Sequence, residues 1–160
     1  MSFLVVVRYL HLLFAFGFTG ALLAAHVNTL AARRAGGWAV RASHFEANRR
    51  LSLFVALPAL IGTGVLGQVL AMALGYRMAD TRAFQIANGV WVALLIVTLA
   101  LELPAAMQLA AAARSAAAGP PDAAAPASWG PALARWRAGN AAQLVLFLAM
   151  LAVMAAPWRP

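Results

Sequence analysis

A chain of 160 residues that is 64% hydrophobic, with a mean hydropathy of +0.83, carries more apolar side chain than a water-soluble domain of that size can bury, so a soluble fold is excluded. The formal net charge is +8 and all twelve basic residues are Arg; they flank apolar runs and form no free basic stripe with interleaved aromatics, which excludes nucleic acid and leaves the lipid bilayer as the partner. Cysteine is absent, so disulfides, thiolate metal sites and Cys nucleophiles are excluded as well.

A bilayer core about 30 Å thick needs about 20 apolar residues per spanning helix. Four runs meet that length, which predicts an all-α fold, a single transmembrane domain over 1–160 built as a four-helix up-down bundle. The first span covers about 3–32. It has no basic segment ahead of it and Leu23-Ala24-Ala25-His26 is a poor cleavage site, so it is expected to be retained. Arg8, in its opening turns, would snorkel to the nearer surface. A basic loop follows, with Arg33, Arg34, Arg41, Arg49 and Arg50 around a Gly36-Gly37 turn.

The second span covers about 51–75. Pro58 would bend it, and Gly62, Gly64 and Gly67 would admit a close neighbour. Gly17, Gly20 and Ala24 suggest the same for the first span. The third span covers about 83–113 with Pro104 in its second half. The Ala-, Pro- and Gly-rich stretch 115–131 reads as a mobile linker. The fourth span covers about 139–156, before Pro157-Trp158-Arg159-Pro160.

The first and third loops hold eight arginines, the N-terminal segment, second loop and C-terminus four. The positive-inside rule then faces both termini outward, to the periplasm. Arg- and Ala-rich composition without Lys reads as GC-rich coding, so the expected location is a bacterial inner membrane, crossed several times. Trp38, Trp129, Trp136 and Trp158 lie at or beyond span ends, where interfacial anchors belong; Trp91 lies deeper.

Polar residues at membrane depth are where function is to be sought. His11 and His26 share the first helix, fifteen residues apart, on roughly one face and about 22 Å apart along the axis. With His44 they make three candidate cofactor ligands, enough for one b-type haem and too few for two bis-His haems. Glu46 sits two residues beyond His44, so a hairpin could gather His26, His44 and Glu46 around a haem or a divalent metal. At the other end His11 has Met72, Met78, Asp80 and Met154 within reach; His11, Met72 and Met154 form a soft set suited to copper(I). Glu102 is the one acid inside a span. A carboxyl in lipid must be neutral or paired, and Glu102 is a candidate proton-relay group, with His26 as a candidate partner. No phosphate loop, nucleophile elbow or metalloprotease helix is present, and no catalytic residue is assigned.

Arg8-Tyr9-Leu10-His11-Leu12-Leu13-Phe14, followed by Phe16 and Gly20, resembles the opening helix of small four-span proteins related to the copper-resistance CopD family. Leu53-Phe54, Pro58-Ala59, Leu103-Pro104 and Gln108, with the Arg- and Trp-flanked last helix, resemble an uncharacterised family of four-helix integral membrane proteins. The broad group includes a membrane protoporphyrinogen oxidase that binds haem, whose early histidine matches His11. That enzyme's basic loop motifs and later His-containing helix have no counterpart here, so the resemblance carries a haem ligand and not the reaction. It implies a small redox-associated protein binding one haem b, moving electrons between a membrane quinol or redox partner and the haem. Copper handling, and a cofactor-free structural or assembly subunit, are the alternatives. A homo-oligomer would pool histidines from two chains.

Overall fold

The computed structural model describes residues 3–78, 80–120 and 124–155. Among them the chain forms four helices long and apolar enough to cross a membrane: α1 Phe3–Arg34, α2 Trp38–Ala73, α3 Arg82–Ala117 and α4 Trp129–Ala155. The expected end of the last span at Ala156, the Pro157-Trp158-Arg159-Pro160 tail and linker residues 121–123 lie outside the described residues.

Two helices run well beyond the expected spans. The stretch read as a basic loop is helical from Trp38 to Leu51 and continues into the apolar part of α2. Its polar residues hid it: Arg41, Glu46, Asn48, Arg49 and Arg50 suppress hydropathy while leaving Ala42, Phe45 and Asn48 on one buried face. The linker is likewise shorter than 115–131, because α3 continues to Ala117 and α4 begins at Trp129. Pro131 is tolerated there because the first-turn N–H groups of a helix have no intrahelical acceptor. At 36 residues each, α2 and α3 are about 54 Å long, roughly 24 Å more than a bilayer core.

The ends have local causes. Gly75, at φ +87°, closes α2 in a left-handed turn in which Tyr76 N–H bonds Ala71 O at 3.0 Å and Gly75 N–H bonds Met72 O at 3.0 Å. Past the end of α1, Arg41 reaches back to Ala35 O through Nε at 3.3 Å and Nη2 at 3.1 Å. Its guanidinium also lies 4.8 Å over the Trp38 ring.

Inside α2 and α3 the ladder widens to π-helix at Ser52–Ala56 and Thr98–Glu102. Each π turn runs into Leu-Pro-Ala, Leu57-Pro58-Ala59 and Leu103-Pro104-Ala105. Proline cannot donate to the carbonyl four residues back and its ring crowds that carbonyl, so the helix accommodates one extra residue per turn just upstream.

Neighbours pack in chain order, α1 on α2, α2 on α3 and α3 on α4; α1 and α4 meet at the Trp136–Thr29 hydrogen bond and the Phe18–Phe147 ring contact. Two apolar clusters result. One holds Ala25, Ala32, Phe45, Leu109 and Trp136 beside the arginine-rich ends of the helices. The other holds Phe18, Ala56, Leu60 and Leu94, with Phe14, Trp91 and Phe147 against it. A polar layer lies between them.

Candidate functional site

The polar layer is built by the π turns. Ser52 and Glu102 occupy the first and last positions of the two turns, and Ser52 Oγ donates to Glu102 Oε1. Glu102 is 4% exposed, and its Oε2 has no hydrogen-bond partner. Gly139 lets α4 close on this point: a Cβ there would stand 3.3 Å from Glu102 N. One turn along, Gln143 Nε2 donates to Thr98 Oγ1 at 2.9 Å, and Thr98 Oγ1 to Leu94 O at 2.8 Å. On the other side Asn48 Nδ2 donates to Thr29 Oγ1 at 3.1 Å and to Ala25 O at 3.2 Å, and Trp136 Nε1 donates to Thr29 Oγ1 at 3.0 Å. Asn48 Oδ1 and Gln143 Oε1, like Glu102 Oε2, are buried acceptors without a donor.

This corrects two expectations. Glu102 pairs with Ser52 and not with His26, which is exposed in a groove between α1 and α4. Trp136 is no interfacial anchor: it is 2% exposed, because its indole N–H finds a buried acceptor in Thr29 and its rings fill the core. Trp129 packs edge-on against Trp38 and Phe45, with centroids 5.0 and 5.1 Å apart.

The second feature is a cavity of about 280 Å³ among all four helices, toward the start of α1. His11 lines it, with Thr63, Gly64, Gly67 and Gln68 of α2, Asn88 and Trp91 of α3, and Phe147, Met150 and Met154 of α4. Its walls are overwhelmingly apolar, so the few polar atoms that reach it decide what it can hold. His11 Nδ1 lies 2.9 Å from Thr63 O. A carbonyl only accepts, so Nδ1 carries the proton and Nε2 of the neutral ring is an acceptor. Asn88 Nδ2 donates to Phe84 O at 2.9 Å, and Trp91 Nε1 to Leu60 O at 3.0 Å. The Thr63 hydroxyl, which donates to Ala59 O at 2.7 Å, and the Gln68 and Asn88 amides complete the polar lining.

Glycines make room for this arrangement. A Cβ on Gly64 would overlap the Trp91 indole, one on Gly62 would meet the Phe14 ring at 2.8 Å, and one on Gly67 would stand 3.0 Å from His11 Cε1. The small residues of α2 are therefore close-contact positions, as the sequence suggested. On α1, Gly17 has ordinary contact with Ala59, and Gly20 faces open space.

The three histidines stand apart. His11 lines the cavity, His26 the α1–α4 groove, and His44 the polar part of α2. Glu46 does not join His44: it pairs with Arg49 at 2.6 Å, Arg50 at 3.1 Å and Arg114 at 3.7 Å. Of the methionines, Met154 lines the cavity with His11, whereas Met72 is outside it and 60% exposed. Asp80 pairs with Arg77 at 3.7 Å. Among the described residues no three His, Asp or Glu side chains gather as a metal site would require.

Ser52, Thr63, Asn88 and Gln143 were not singled out from the sequence. The repeated Leu-Pro-Ala, each preceded by a hydroxyl residue at Ser52 or Thr98, is the signal that could have located the polar layer. No protein-family model, no curated protein and no solved structure matches this chain. The likeness to the CopD group rests on the residues quoted for it.

Proposed function

We propose that this is a redox-associated protein of a bacterial inner membrane, an up-down bundle with both termini outside, that binds the ring of a lipid-soluble quinol in the His11 cavity and presents it to a membrane redox partner. The observation that carries this is the 2.9 Å contact of His11 Nδ1 with Thr63 O, which selects the Nδ1–H tautomer of the neutral ring. With Nδ1–H held by Thr63 O, Nε2 accepts, and Asn88 Oδ1 is a further acceptor in the same cavity. A hydroquinone offers two O–H donors. Phe18, Phe84, Trp91 and Phe147 supply aromatic walls. Exposed Leu12 and Leu151 at the rim give an isoprenoid tail a route to the lipid.

Size favours a single ring. Sites for drug-sized ligands run from about 300 Å³ upward, and this cavity has about 280 Å³. Haem b, the cofactor that the sequence favours, finds one histidine with the carbonyl support typical of metal-ligating imidazoles, and thioethers at Met150 and Met154. A tetrapyrrole exceeds the volume, and no arginine lines the cavity to meet its propionates. Copper(I) is the second reading, favoured by the placement of Nε2, Met150 and Met154 in one cavity. The cofactor-free subunit is the third.

The polar layer belongs to the same reading. Twenty residues, about 30 Å of helix, separate Arg82 from Glu102. With Arg82 at one bilayer surface, Glu102 and Ser52 lie near the opposite edge of the hydrocarbon, and the buried carboxyl is a candidate group for relaying a proton inside the bundle.

The test is one preparation of detergent-purified protein. Its organic extract is assayed for quinones, and a short-chain quinol is titrated against tryptophan fluorescence. Co-purified quinone and saturable quenching are expected, with His11→Ala weakening binding at least tenfold. Absence of both overturns the quinol reading. A Soret band with sharp reduced α and β bands in the same sample moves the assignment to haem; copper without a Soret band moves it to copper.

A further inference from the structure

The α1–α4 groove is a different site. Residues of α1 and α4 alone line a cavity of about 460 Å³ between the two helices. Arg33 and Arg137 lie toward one end of it, with Asn140 about one turn and His26 about two turns further in. Neither Arg33 nor Arg137 has a carboxylate partner among the described residues, unlike Arg49, Arg50 and Arg114, which share Glu46. Trp136 and Thr29, already bonded to each other, form part of its wall. Leu30 lines it between Arg33 and His26, and Leu23 and Leu144 line its deeper part; all three are exposed on the bundle surface.

We infer that this groove binds one anionic phospholipid, its phosphodiester between Arg33 and Arg137 and an acyl chain along Leu23, Leu30 and Leu144. The inference rests on the membrane reading of the chain and is independent of what occupies the His11 cavity. Two guanidiniums without counter-charges, joined to a leucine-lined channel, match an amphiphile with a negative head. Basic pockets between membrane helices recognise such headgroups, and guanidinium is suited to phosphate oxygens in particular. A free phosphate would use only the polar end and leave the leucines unexplained. The bound lipid would tie α1 to α4 beside the Trp136–Thr29 hydrogen bond that already joins them.

The experiment uses full-length protein in neutral detergent. Its unfolding midpoint is followed with phosphatidylglycerol, phosphatidylcholine or inorganic phosphate, and native mass spectrometry counts lipids retained by the wild type. One phosphatidylglycerol is expected to be retained and to raise the midpoint, with phosphatidylcholine ineffective. Each arginine near an anionic headgroup strengthens binding roughly fivefold, so Arg33→Gln with Arg137→Gln should weaken it roughly 25-fold. Arg77→Gln with Arg82→Gln, elsewhere in the chain, should leave it unchanged. Equal effects of the two lipids, an equal loss in the control pair, or reproduction of the shift by inorganic phosphate alone would each overturn the proposal. The retained-lipid count needs no variant and stands even if the arginine changes impair folding.

Discussion

Ser52 and Glu102, fifty residues apart in the chain, meet because each lies on a π turn that runs into Leu-Pro-Ala. The hydroxyl takes one carboxyl oxygen and leaves the other buried without a donor. Removing the hydroxyl strands both. In water-soluble cores an orphaned polar group costs about 1–3 kcal/mol, but polar contacts between membrane helices average nearer 0.6 kcal/mol and reach about 1.7 kcal/mol. Ser52→Ala should therefore destabilise the bundle by about 0.6–2 kcal/mol, and Ser52→Thr by less, measured by unfolding in a fixed detergent. A neutral Ser52→Ala would show that the contact does not contribute to stability.

The prolines should control that contact without touching it. Pro58→Ala restores a donor and removes the ring clash that widens the turn at Ser52–Ala56. Reverting to α-helix moves the upstream residues by one position, about 100° about the axis, and takes Ser52 off Glu102. In the Pro58→Ala background Ser52→Ala should then cost close to nothing, and Pro104→Ala should behave alike. Full additivity in that double-mutant cycle would mean that the π turns persist without their prolines.

The four helices were legible because hydropathy is a property of runs, and each run is long enough to cross a bilayer core. What was not legible depended on a partner. Trp38–Leu51 looks like a loop until Phe45 and Asn48 are seen to be buried, Asn48 through bonds to Ala25 and Thr29 of α1. Trp136, next to arginines, looks interfacial until Thr29 supplies a buried acceptor. Glu102 was legible as a costly carboxyl in a span, but Ser52 was not, since only the coincident π turns bring the two together. His11 could be singled out from its depth, whereas its tautomer depends on the carbonyl of Thr63.

Gly64 and Gly20 look equivalent as small residues in apolar helices and should respond in opposite ways. Alanine at Gly64 drives its Cβ into the Trp91 indole, and such overpacking costs about 1–3 kcal/mol. The indole can leave only by breaking its bond to Leu60 O and changing the cavity wall. Alanine at Gly20 meets nothing within 4 Å and gains up to about 1 kcal/mol of helix propensity. Unfolding midpoints of the two variants should straddle the wild type, and only Gly64→Ala should lose ligand binding.

Gly67→Ala isolates the positioning of His11 from its presence. The new methyl would stand 3.0 Å from His11 Cε1 and 3.3 Å from Nδ1, so the ring must give by a few tenths of an ångström. That movement strains the bond to Thr63 O, which fixes the proton on Nδ1 and the lone pair on Nε2. A ligand held by Nε2 should lose several-fold in affinity while the bundle keeps its stability to within about 1 kcal/mol, because helix propensity gained at Gly67 offsets the crowding. Quinol titration and unfolding on the same preparation separate the two effects. Unchanged affinity in Gly67→Ala, together with lost affinity in His11→Ala, would assign the imidazole a space-filling role in the cavity wall.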